Sequence, residues 1–222
     1  MFEIEEIKLN VYHLEYDTQY NLTSSFMRLQ EYYESPYEEL KGKFFKHETF
    51  FDVYTELNHS KEFTYFTDWC GFNIPGLAAK DFYKLFHNDF WNKERILFES
   101  LKNKIGAKNW RNIYIIGSNK CVEQKETIVH ELAHAYWYLY PDYKKEMESY
   151  LNDKSLISQN KLDYMFDALK IMGYSTEYFY DEIQAFLATG SKYEISHNLK
   201  AGMDFNIPKC FKIYFNKFNK KV

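Results

Sequence analysis

Apolar residues recur at two different spacings along this 222-residue chain, and the change comes near Gly117. Before that point, alternating stretches mix with helical ones. Ile4 to Tyr16, rich in β-branched and aromatic residues, predicts a strand, and Phe63-Thr64-Tyr65-Phe66 predicts a second, short one. Asn112-Ile113-Tyr114-Ile115-Ile116-Gly117 carries the strongest strand pattern of all. Leu22 to Tyr33, Glu48 to Leu57 and Asp89 to Lys102 have helical spacing, and Trp69 to Gly76 reads as an ordered loop.

After Gly117 almost everything predicts helix. Asn119 is the expected N-cap of the first, with Glu123 and Glu126 near the positive end of its dipole. Val129, Leu132, Ala133, Tyr136, Trp137 and Tyr140 then give it one thick apolar face, and Pro141 ends it. Further helices are expected from Asp142 to Leu151, from a Ser155 cap to Met172, from near Ser175 to Thr189, and from Pro208 to Lys221. Gly173 should stop the second of these. No repeat, low-complexity tract or linker divides the chain. The fold class expected is α+β. It is read as one domain over 1–222, with a mixed α/β lobe over 1–118 and a helical lobe over 119–222.

Composition narrows the function classes. Hydrophobic residues make up 45% of the chain, enough for a packed core, and 45 of the residues are Tyr, Phe or Trp. A formal charge of −4 with dispersed basic residues leaves no electrostatic footprint for nucleic acid. Cys70, Cys121 and Cys210 are too few and too far apart for a disulfide framework or a Cys-x-x-Cys metal site. The acidic N-terminus is unlike a signal peptide, and no apolar run approaches membrane-spanning length. The expectation is a cytoplasmic protein with no nucleic-acid or membrane partner.

The chemistry sits in His130-Glu131-Leu132-Ala133-His134. Histidines four apart on a helix project from one face, so both imidazoles can bind one Zn²⁺ without distorting the backbone. Glu131 lies about 100° around the helix from His130, beside the metal but off its ligand face. There it can hold and deprotonate a water molecule, the role this motif gives its glutamate. The competing reading is a pair of helix-face histidines hydrogen-bonded to nearby acids, with no metal.

A catalytic zinc needs a third protein ligand and one open position. The extended motif with Gly and His downstream is absent, because Trp137 and Tyr140 occupy those positions. The best candidate is Glu182, in Tyr180-Asp181-Glu182-Ile183-Gln184-Ala185-Phe186-Leu187, on a later helix that can return antiparallel. Asp181, His197, Glu177 and Glu146 are the alternatives. His197, Tyr174, Tyr178 and Tyr180 are candidates for steadying an oxyanion. Trp69 and Phe72 are candidates for lining a cleft. His13, His47, His59 and His87 are scattered and read as surface or core residues.

At these residues the sequence resembles the gluzincins, metallopeptidases with His-Glu-x-x-His and a glutamate ligand on a downstream helix in a Glu-x-x-Ala-like setting. The resemblance spans residues 112–190, roughly a third of the chain. It implies a zincin-like fold, His130, His134 and Glu182 as zinc ligands, Glu131 as general base, and a peptide or protein substrate. It further implies that the strand over 112–117 forms the sheet edge along which substrate lies. One departure stands out: thermolysin-like members carry Asp four residues after the glutamate ligand, and here that position is Phe186. The group that orients a zinc histidine must then differ, with Asp181 a candidate. A non-catalytic zincin-fold binding or regulatory protein, with the metal kept for structure, is the alternative reading.

Overall fold

The N-terminal strand signal breaks at Asn10, whose φ of 64° is the left-handed turn conformation that asparagine tolerates. In the computed structural model, Phe2–Lys8 (β1) and Val11–Tyr16 (β2) therefore form an antiparallel hairpin in place of one strand. The residues described are 2–57, 61–106, 110–120, 124–190, 195 and 208–222. They fall into two compact units, Met1–Thr127 and Ile128–Val222, and the fold is α+β.

The first unit is a mixed four-stranded sheet with helices. Its strand order is β1-β2-β4-β3, where β3 is Gly71–Pro75 and β4 is Tyr114–Asn119. β4 runs parallel to β2 and antiparallel to β3. Its six residues are all buried, which explains its strong sequence signal. Helix α1 (Gln19–Glu34) lies against this sheet. At Gly117 a Cβ would come within 2.9 Å of Leu22 Cδ1 and Phe26 Cε2, so the close approach of α1 requires glycine there.

Two further local expectations fail in this unit. Residues 63–66 do not form a strand; Tyr65–Asp68 is a short helix, α3. Tyr65 is wholly buried against Phe50 and Tyr54, and its hydroxyl donates to Glu31 Oε1 at 2.9 Å. That tertiary contact overrides the β-propensity of the segment. Conversely, the expected loop over 69–76 contains β3. Its Gly, Asn and Pro hid the strand, yet Pro75 is tolerated because β3 is an edge strand. Phe72 stacks on Phe26 in the core and so does not line a cleft.

Helix α2 (His47–Leu57) follows the expectation, α4 (Gly76–Phe86) was not anticipated, and α5 (Asn92–Ile105) starts three residues late. Arg28 is completely buried beneath them, and its guanidinium binds both Glu94 oxygens (2.8 and 2.5 Å) and Asp89 Oδ2 (2.8 Å).

The second unit is helical. Helix α6 (Gln124–Leu139) carries the histidine motif, followed by α7 (Pro141–Asn152), α8 (Gln159–Ile171), a 3-10 turn over Thr176–Tyr178, α9 (Phe179–Thr189) and α10 (Lys209–Lys221). Asn119 is the last residue of β4 and not the cap of α6, because its backbone continues the sheet; Cys121 and Glu123 lie outside the described residues. Ser158 takes the N-cap position of α8, without a side-chain capping bond, in place of Ser155, whose backbone N–H and hydroxyl are engaged by Asp153 Oδ1. Gly173, with φ of 90°, ends the run as expected.

Helix α10 packs on α7 and α9 through Phe211, Phe215 and Phe218. Phe215 and Phe218 gather around Tyr136 and Tyr143 as an aromatic core, and Phe211 meets Tyr150. Among the described residues no helix is long and apolar enough to cross a membrane.

Candidate metal centre

Residues 131 to 136 of α6 are all buried, so the histidine face is covered as well as the apolar one. The cover is α9, whose Phe186 ring lies 4.8 Å from the ring of His130. The position that holds Asp in thermolysin-like sequences here packs hydrocarbon against a histidine. Glu182, one turn before Phe186, reaches the same point as His130 and His134. One donor atom from each of the three lies within 4.8 Å of the others. The structure thus brings together the three residues singled out in the sequence.

Of the other candidates, Asp181 stays beside His134, at Nδ1. Glu177 is exposed in the 3-10 turn, and Glu146 lies beside Tyr150. The Tyr180 hydroxyl donates to Asn152 at 3.1 Å. His197 lies outside the described residues, as does His59. In the first unit, His13 is hydrogen-bonded to Ser118 at 2.8 Å and His47 stacks on Trp91, while His87 is exposed.

Each histidine is tied at Nδ1 by a residue of α9. His134 Nδ1 lies 2.9 Å from Asp181 Oδ1, to which its N–H donates. His130 Nδ1 lies 3.3 Å from Thr189 Oγ1. The Thr189 hydroxyl gives its own proton to Ala185 O at 2.7 Å, so its oxygen is left to accept from His130. Both Nε2 atoms therefore turn inward, 3.3 Å from each other, with Glu182 Oε1 3.7 Å from that of His134.

The protonation states follow from the surroundings. Burial, then the charge of His134, holds His130 well below its usual value. Burial opposes the charge on His134 as well, but Asp181, Glu182 and Glu131 together hold it well above the usual range. Burial raises Glu182 to about 8, with the His134 charge opposing and Asp181 and Glu131 adding to the rise. Glu131 itself is buried and close enough to act on both.

This donor set fits a small divalent cation. Two nitrogens at the usual zinc distance, about 2.0–2.1 Å in tetrahedral array, stand about 3.3–3.4 Å apart, which is the spacing of the two Nε2 atoms. A cation among Glu131, Asp181 and Glu182 would also relieve the crowding of three carboxylates. Asp181 is the orienting group expected from the sequence, and Thr189 is a second one, at His130. Its signal was its place two turns beyond Glu182, on the same face of α9.

The resemblance also placed an edge strand over 112–117. That is corrected by the sheet, in which β4 is bonded on both sides and has no free edge. Comparison of the chain with family models, with curated proteins and with solved structures finds no match.

Proposed function

We propose that this protein is a zinc-dependent hydrolase of the metallopeptidase type, with a zincin-like site in which His130, His134 and Glu182 hold the metal and Glu131 is the general base. The observation that carries this reading is the pair of Nε2 atoms 3.3 Å apart beside the Glu182 carboxylate, each ring tied off at Nδ1. A helix pair built only for packing has no need of two imidazoles and the Glu131 and Glu182 carboxylates in its buried seam, where each costs desolvation energy.

The chemistry such an ion supplies is Lewis acidity, toward a carbonyl and toward a water molecule whose pKa falls to about 7. The remaining work belongs to the chain. Glu131 accepts a proton from the water as its oxygen bonds to the amide carbon. It then delivers that proton to the amide nitrogen as the C–N bond breaks, leaving a carboxylic acid and an amine. Asp181 and Thr189 keep both imidazole rings aimed, so the ligand face needs no rearrangement during turnover.

The test is cleavage of a mixed peptide library by zinc-loaded protein, read by mass spectrometry beside Glu131→Gln. New peptide ends with the wild type, and none with a variant that still binds zinc, are expected. A metal-loaded wild type that cleaves no peptide would instead favour a structural centre in a binding or regulatory protein.

A further inference from the structure

The hydrogen bonds of the centre do not stop at Asp181. Its Oδ1, 2.9 Å from His134 Nδ1, also accepts from Gln184 Nε2 at 3.0 Å. Gln184 Oε1 in turn accepts from the Tyr143 hydroxyl at 3.0 Å. The chain of contacts runs from α7 through α9 to α6 and ends on a candidate ligand. Gln184 and Tyr143 are both 0% exposed, whereas the Asp181 side chain keeps 17% of its surface.

The direction of each bond is fixed. A carboxamide turned the other way would set its oxygen against the Asp181 carboxylate and waste the Tyr143 proton. The hydroxyl of Tyr143 therefore orients Gln184, and Gln184 presents an N–H to Asp181. Asp181 and Gln184 are three apart on α9, so the contact needs no change in the helix. Without that N–H, the partly exposed Asp181 is free to swing toward solvent and abandon His134.

We propose that Gln184 is a positioning residue of the metal centre, holding Asp181 on His134, with Tyr143 setting the orientation of its carboxamide. This role rests on the metal reading above. It differs from mere satisfaction of buried polar groups, which would alter the stability of the fold and leave metal affinity unchanged.

The experiment measures zinc affinity by chelator competition, the visible spectrum of the cobalt(II)-loaded protein, and melting of the metal-free chain. Gln184→Met keeps the volume and removes the amide, while Tyr143→Phe removes only the hydroxyl and guards against a misfolded first variant. Folded Gln184→Met should bind zinc about tenfold more weakly, with shifted cobalt bands. Tyr143→Phe should move both in the same direction by less. Wild-type affinity and cobalt spectrum in both folded variants, even with lowered melting, would overturn the role while leaving the centre intact. A wild type that binds neither zinc nor cobalt would overturn the centre and this role together.

Discussion

Thr189 Oγ1 stands 3.3 Å from His130 Nδ1 while its own proton is committed to the Ala185 carbonyl. This pairing fixes which nitrogen of His130 faces Glu182. Thr189→Val keeps the shape of the side chain and removes the acceptor. Zinc affinity should fall roughly tenfold, the usual cost of losing an outer partner of a ligand, and Thr189→Ser should restore most of it. Competition with a chromophoric chelator gives the answer; equal affinity in Thr189→Val would show that His130 is oriented by packing against Phe186 alone.

Glu131 is assigned a proton-transfer role and no metal bond. Glu131→Gln should therefore retain zinc with near wild-type affinity and lose about 10²- to 10⁴-fold in kcat/KM on any peptide substrate found. An active variant would sink the assigned mechanism.

Two buried carboxylates of the first unit should respond to pH with opposite signs. Burial pushes Glu94 up, but its bonds to Arg28 and His47 and the Arg28 charge more than offset this, so its pKa lies below the usual 4.5. Its contribution to stability is complete above about 4.5 and is lost as pH falls through the lowered value. Glu94→Gln leaves the buried Arg28 guanidinium with Asp89 as its carboxylate partner and should cost about 1.5–3 kcal/mol near neutrality, a deficit that shrinks in acid. Burial raises Glu31 despite bonds from Ser35 and Tyr65. Its contribution is complete below 4.5 and is lost as pH rises through the raised value. Glu31→Gln should therefore gain on the wild type as pH rises from about 4.5 toward neutrality. Urea unfolding across that range, extended to lower pH for Glu94→Gln, checks both.

The two glycines that meet helices in the first unit should differ in tolerance. A Cβ at Gly76 would sit 2.2 Å from the Trp110 carbonyl oxygen, which is backbone and cannot easily retreat. At Gly117 the obstacles are the side chains of Leu22 and Phe26, which can shift. Gly117→Ala should cost about 1–3 kcal/mol, and Gly76→Ala should cost more. Comparable melting temperatures for the two variants would contradict this.

The helical unit was the more legible part of the sequence because its signals are local. Three- and four-residue spacing, Pro141 and Gly173 mark its helices with little help from the fold. The three candidate donor residues could be found the same way, His130 and His134 by spacing and Glu182 by its Glu-x-x-Ala-like setting with Ala185. What escaped notice depends on contacts between segments. Tyr65 is helical because Glu31 and Phe50 receive it, and β3 is a strand because β4 offers it a partner. Gln184 and Tyr143 look like ordinary helix residues until α7 and α9 are packed together. The interior position of β4 could not be read from its own pattern, since a buried strand is apolar whether its neighbours number one or two.

The most direct test of the central claim is metal content. Wild-type protein, chelated, reloaded with zinc and desalted, should hold about one zinc per chain, and Glu182→Ala should hold far less under the same conditions. Zinc absent from the wild type, or retained equally by both, would contradict a centre built from His130, His134 and Glu182.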